Sequence, residues 1–273
     1  VPANTIPEGE IIRAWMPLPS TDIPRQKDFR LTEVSEPEYI ISPDRYVHKS
    51  IYMEKKAVKD SPAVFSYSFT YTAYAQYNHF DPLQDVLPYN TSSTDYKEYT
   101  KAVPPHIVTD GKVAELAKQI IGDESNPYLQ LKKIFSYISR NYPWAGAREY
   151  STLESIPLYV LENGHGDCGQ VSLLFISMCR SLGIPARWES GWMLHPGAVN
   201  LHDWAEAYLE GIGWIPVDQS FGLQPEPVEL FYSRGIDAYR MAVNTDIGGA
   251  FFPAKIHFRS ETVDFQRGEV EWR

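Results

Sequence analysis

Cysteine is scarce: the chain has two in 273 residues, Cys168 and Cys179. So few cannot staple a small disulfide-dependent scaffold. Both fall on one expected helix, eleven positions apart, or about 16 Å along its axis, whereas a disulfide needs Cα atoms within about 7 Å. They cannot pair within one chain. Long hydrophobic runs are also missing. The longest, VSLLFISMC at 171–179, is far too short to cross a bilayer, so no transmembrane segment is expected. No secretory leader is visible, and a start at Val1 suggests a processed or truncated product. Positive charge is short as well. With 25 Lys and Arg against 35 Asp and Glu the formal net charge is −10, the wrong sign for a nucleic-acid binder. No C-x-x-C or H-x-x-x-H spacing supports zinc and no D-x-D-x-D-G loop supports calcium, so no metal is expected.

What is present is globular. Hydrophobic residues make up 43% and charged residues 22%, enough for a substantial core in one large domain or two ordinary ones. The first part reads as strands. IIRAWMPLP (11–19) starts as one. VFSYSFTYTAYAQY (64–77) alternates, with Phe65, Tyr67, Phe69, Tyr71 and Tyr77 on one face, the period of an antiparallel sheet with one buried side. Residues 79–105, rich in proline, serine and threonine, suit a linker. Helices follow at 110–121, at 125–142 with Pro127 near its start, and from Ser155 to a stop at Gly164. The next helix carries Cys168, with Val171, Leu174, Phe175, Met178 and Leu182 as its stripe, and ends at Gly183 before Pro185. Strands return in ARWESGWML, HDWAEAYLE and GWIPVD, and the tail alternates from 255 onward as closing strands. The expected class is α+β: an N-terminal antiparallel β domain (1–100), then a domain (101–273) with helices first and antiparallel sheet second.

Cys168 sits in the first turn of its helix, where unpaired N–H groups and the helix dipole favour thiolate. Gly166 and Gly169 keep side chains away from the sulfur. Cys179, mid-helix among apolar neighbours, is a core residue. HDWAEAYLEGIGWIPVD reads as a hairpin turning at Glu210-Gly211. In the register that pairs 204 with 216, His202 faces Asp218 directly. Histidine with a carboxylate against its ring is the base and orienting group that a thiol nucleophile requires. Asp167 reads as the helix cap, and Asp203, on the opposite strand face from His202, as a bystander. Trp204, two residues from His202 on the same face, can wall the cleft. His165 can line it. Gly248-Gly249 reads as a turn that could serve as a specificity loop.

Residues 166–222 carry GDC at a helix start, RSLGIPAR, HDWAE and GWIPVD in order. This set resembles the core of the transglutaminase-like superfamily, a branch of the papain-like thiol enzymes. The helices at 110–163 suit that core, and the preceding β segment is similar to the N-terminal sheet domain of bacterial members. The resemblance implies a catalytic domain at 101–273 with Cys168 as nucleophile, His202 as base and Asp218 as orienting acid. It implies acyl transfer through a thioester without an organic cofactor, and a protein or peptide substrate. Trp144 in NYPWAG stands where the family could place a second oxyanion donor beside the backbone N–H of Cys168. An extracytoplasmic setting, periplasmic or secreted, follows from the same likeness. Hydrolysis is favoured over transamidation, since nothing here identifies an amine-binding pocket. The alternative is a catalytically silent protein- or glycan-binding module that keeps the fold.

Overall fold

A computed structural model describes every residue except Ala147, 223–230, Ser260 and Arg273. The strands that open the chain are Ile11–Pro17 (β1), Gln26–Val34 (β2), Tyr39–Ile41 (β3), Ser50–Lys56 (β4), Tyr67–Ala73 (β5) and Gln76–Tyr77 (β6). The helices are Thr94–Thr100 (α1), Gly111–Ile121 (α2), Pro127–Asn141 (α3), Ile156–Asn163 (α4) and Cys168–Ser181 (α5). Strands Ala186–His195 (β7), Ala198–Leu209 (β8), Gly213–Val217 (β9), Gly235–Ile236 (β10), Arg240–Asn244 (β11) and Glu269–Trp272 (β12) complete the described strands. The fold is α+β. Among the described residues no helix is long and apolar enough to cross a membrane.

The chain divides into two compact units that do not follow chain order. The first unites Val1–Tyr74 with Gly191–Leu201 and Tyr239–Arg273. Its main sheet runs β12-β1-β4-β3, all neighbours antiparallel. Strand β1 is central, and that explains its nearly continuous burial, where an edge strand would alternate. Arg13 of β1 pairs with Glu271 of β12 both in register and through a buried ion pair. Trp15, Tyr52, Met241, Val243, Phe251 and Phe265 form a buried aromatic cluster in this unit. The division departs from a cut at residue 100 because β12 and β11 return to the opening strands. The tail from 255 is mostly irregular, with β12 as its strand. Its carbonyls and N–H groups are met by side chains, as where Ile256 and His257 N–H donate to Glu271.

The second unit comprises Ala75–Ser190 and His202–Ala238. Helix α3 begins where the Asn126 side chain accepts from the N–H groups of Tyr128 and Leu129, with Pro127 in its first turn. It buries Leu131, Ile134, Phe135 and Ile138. Helix α4 ends on Gly164 at φ +72°, a left-handed cap that costs glycine nothing. The expected linker holds α1, opened by the Ser93 side chain accepting from Tyr96 N–H. Tyr89 of the same stretch donates its hydroxyl to Tyr208 O at 2.8 Å. Ser93 there acts as a cap, a role that looks like loop composition from sequence. Helix α5 is the centre of this unit: Gly169–Arg180 are all buried, so the expected stripe is in fact a whole helix surface. Burying Leu173, Leu174, Phe175, Ile176 and Met178 contributes about 1.5–3 kcal/mol each before conformational entropy is counted. Arg180, also buried, donates to Ala186 O at 2.8 Å and Lys101 O at 2.9 Å.

Candidate active site

Cys168 is the first residue of α5. Asp167 caps the helix, accepting from Gln170 N–H at 2.8 Å, while the Gln170 side chain accepts from Asp167 N–H. This reciprocal box fixes the entry of the chain and therefore the position of the sulfur. The residue is half-buried, whereas Cys179 is fully buried. Gly166 and Gly169 serve packing rather than access. A Cβ on Gly169 would stand 2.2 Å from the Tyr150 hydroxyl, 2.6 Å from Asp203 Oδ2 and 2.8 Å from Trp188 Cη2. A Cβ on Gly166 would meet Gln170 Cβ at 3.0 Å and Val160 Cγ2 at 3.2 Å.

Asp203 is no bystander. Cys168 Sγ donates to its Oδ2 at 3.4 Å. The start of α5 lies against Asp203 of β8, where the Ser172 hydroxyl is also 3.5 Å from Asp203 O. Tyr150, from a short 3-10 turn at Tyr150–Thr152, bridges both acids: its hydroxyl lies 2.7 Å from Asp167 Oδ1 and 3.5 Å from Asp203 Oδ2. Burial first, then the Asp203 and Asp167 carboxylates, push the Cys168 thiol well above its ordinary range, against the Asp203 backbone N–H, which favours thiolate. The expected dipole-stabilised thiolate is therefore outweighed in this arrangement: charge repulsion and desolvation act at contact distance. Burial likewise raises the Asp167 carboxyl and the Cys179 thiol.

The hairpin closes over a three-residue loop, with Leu209 paired to Gly213 and Ala205 to Val217. Gly211 and Gly213 take φ +88° and +99° to make the turn. The pairing is slipped two residues from the expected one, which would set 205 against 215. A two-residue slip leaves every side chain on its own face, so His202 and Asp218 still meet, now diagonally, with Nε2 and Oδ2 2.8 Å apart. A carboxylate only accepts, so Nε2 carries the proton. His202 is 4% and Asp218 0% exposed. The Asp218 backbone N–H is held by Tyr232 O at 2.9 Å. Phe221 packs its ring 5.5 Å from the imidazole, edge to face.

Trp204 is 0% exposed and donates its indole N–H to Glu189. It stacks on His202 at 5.8 Å between centroids. It is a buried backing for the imidazole, and no open cleft wall. His165 is half-buried and its ring meets Tyr159 edge-on at 6.2 Å. Trp144 is 69% exposed, and its backbone forms a parallel bridge with Gly166, two residues ahead of Cys168. Tyr150, Phe221 and the Ser172–Gln219 hydrogen bond of 3.2 Å were not anticipated. Gln219 directly follows Asp218, so this bond ties the acid's turn to α5.

Residues 114–219, which contain Cys168, His202 and Asp218, match the model of the transglutaminase-like superfamily. A protein of Haemophilus influenzae is 32% identical over 155 residues, 47% of this chain and 41% of that protein. The chain thus spans less than half of this relative. A candidate cysteine protease from Cytophaga hutchinsonii shares the fold, with a TM-score of 0.60 at 18% identity over 97% of this chain and 85% of that one. The periplasmic domain of TgpA from Pseudomonas aeruginosa aligns with a TM-score of 0.41 at 14% identity, over 82% and 92%. Residues 114–219 thus resemble a transglutaminase-like domain.

Proposed function

We propose that this domain is a thiol-dependent acyl-transfer enzyme acting on amide bonds of proteins or peptides, with Cys168 as nucleophile, His202 as base and Asp218 as orienting acid. The observation that carries the reading is the buried His202–Asp218 pair in a domain that starts its central helix on Cys168. With Nε2 committed to Asp218, Nδ1 is the nitrogen that takes the thiol proton. The sulfur electron pair then forms a C–S bond to the carbonyl carbon, and the carbonyl π pair moves onto oxygen. Collapse re-forms the carbonyl and breaks the C–N bond, and the leaving amine takes the proton from His202. In the second half water attacks the thioester as His202 accepts its proton; collapse breaks the C–S bond, releases the free acid and lets His202 return the proton to sulfur. The Cys168 backbone N–H and the Trp144 indole are the donors proposed for the oxyanion. We place the enzyme outside the cytoplasm on the strength of the family resemblance.

Water at about 55 M captures a thioester unless a site binds an amine and excludes water, so hydrolysis is the preferred outcome. The test supplies a glutamine-containing protein panel and a labelled primary amine, and follows free acid and amine adduct by mass. Free acid should dominate, and Cys168→Ala should remove it by 10³-fold or more while leaving thermal unfolding nearly unchanged, about the effect of losing a nucleophile. Adduct in excess at millimolar amine would reverse the preference. Neither product across the panel would favour the binding module.

A further inference from the structure

Four titratable groups meet at the start of α5, namely Cys168, its cap Asp167, Tyr150 from the 3-10 turn and Asp203 from β8, while His202, next to Asp203 in the strand, pairs with Asp218. The proposed reaction uses three of the six. The other three form their own chain, in which the sulfur donates to Asp203 and one phenol is shared between Asp203 and Asp167. Space around it is closed: neither Gly169 nor the ring of Trp188 leaves room for a methyl group, and Asp203 is 5% exposed.

We propose that Asp203 is a second catalytic carboxylate, which holds the Cys168 thiol protonated in the resting site so that the proton leaves for His202 only during attack. This rests on Cys168 being the nucleophile. The geometry gives the carboxylate one clear task. A full negative charge at hydrogen-bond distance stabilises S–H and opposes S⁻, whereas the positive helix terminus does the reverse. Tyr150 moderates the task, because its hydroxyl proton draws charge from both carboxylates. The raised thiol agrees in direction, with Asp203 the leading charge in its cause. The resting site would then hold a neutral thiol rather than a preformed thiolate. Such a thiol resists adventitious oxidation and alkylation, since the thiolate is the reactive form.

The test reads the thiol itself and needs no substrate. Iodoacetamide alkylation of Cys168 is followed by peptide mass against pH, with buried Cys179 as internal control, in the full chain. Asp203→Asn should shift the profile about 1–3 units to lower pH, the range a neighbouring charge commands, so that alkylation near neutrality rises about tenfold or more. Tyr150→Phe should shift it the other way, since the carboxylates lose their shared donor. Opposite signs from two neighbouring substitutions separate a charge effect from loosened packing, and thermal unfolding of each variant identifies one that is not folded. Reactive Cys168 with an unmoved or alkaline-shifted profile in folded Asp203→Asn would overturn the role of Asp203 alone. If Asp203→Asn does not fold, Tyr150→Phe decides, and an unmoved or acid-shifted profile there overturns it. No selective alkylation of Cys168 in any variant up to about pH 10 would overturn both this role and the nucleophile.

Discussion

Gly169 is where the identity of a single residue matters most outside the reacting groups. It lets the Tyr150 hydroxyl, Asp203 and Trp188 close around the first turn of α5 at distances no Cβ tolerates. Gly169→Ala should therefore cost about 1–3 kcal/mol by overpacking and disturb the sulfur–Asp203 contact as well. Urea unfolding measures the first effect, and a changed alkylation profile of Cys168 the second; an unaltered midpoint would show that the site can shift freely. Much of this neighbourhood could not be read from the sequence. Period-two alternation says nothing about which element lies against Asp203, and so could not reveal its contact with Cys168. Tyr150 is 18 residues from Cys168 in a short 3-10 turn, a setting with no periodic signal at all.

At the scale of elements, the start and stop of α5 were legible because its cap chemistry is local: Asp167, Gln170 and Gly183 each act within a few residues. Its complete burial was not, since that depends on what packs against each side. The His202–Asp218 pairing survived a mistaken register because the slip was even, so strand parity sufficed where loop length did not. Several motif residues hold elements together and do no chemistry. Arg187, in the segment RSLGIPAR, donates to Glu206 of HDWAE at 2.7 Å and lies 4.2 Å over the ring of Trp214. Arg187→Ala would leave Glu206 as a nearly buried, unpaired charge and strip a cation from the indole face. We expect a loss of about 3 kcal/mol, the lower end for breaking a buried pair because the arginine is 19% exposed. Chemical denaturation measures it. A loss below about 0.5 kcal/mol would mean that the pair behaves like a surface ion pair.

For the whole molecule, chain order and spatial grouping differ, and this was the least legible feature. Sequence patterns locate strands but not their partners across 200 residues. The consequence can be tested on a fragment that begins at residue 101. It would keep residues 114–219, the span that matches the family, yet lose β1 and β4. Those strands supply Trp15 and Tyr52 to the cluster completed by Met241, Val243, Phe251 and Phe265. They also supply the partner along which β12 pairs from Trp272 to Glu269. The fragment would then expose four large apolar side chains and an unpaired strand edge, the conditions for aggregation. It would also remove Arg13, the charged partner of Glu271 in the intact chain. We expect strong binding of a hydrophobic dye, weak near-ultraviolet circular dichroism and early proteolysis beyond residue 238. Co-expressing residues 1–100 should restore a compact complex, because the missing strands carry the missing contacts. A fragment that is monomeric, protease-resistant and cooperative on its own would show that residues 239–273 find a different partner, and that the first unit does not depend on its opening strands.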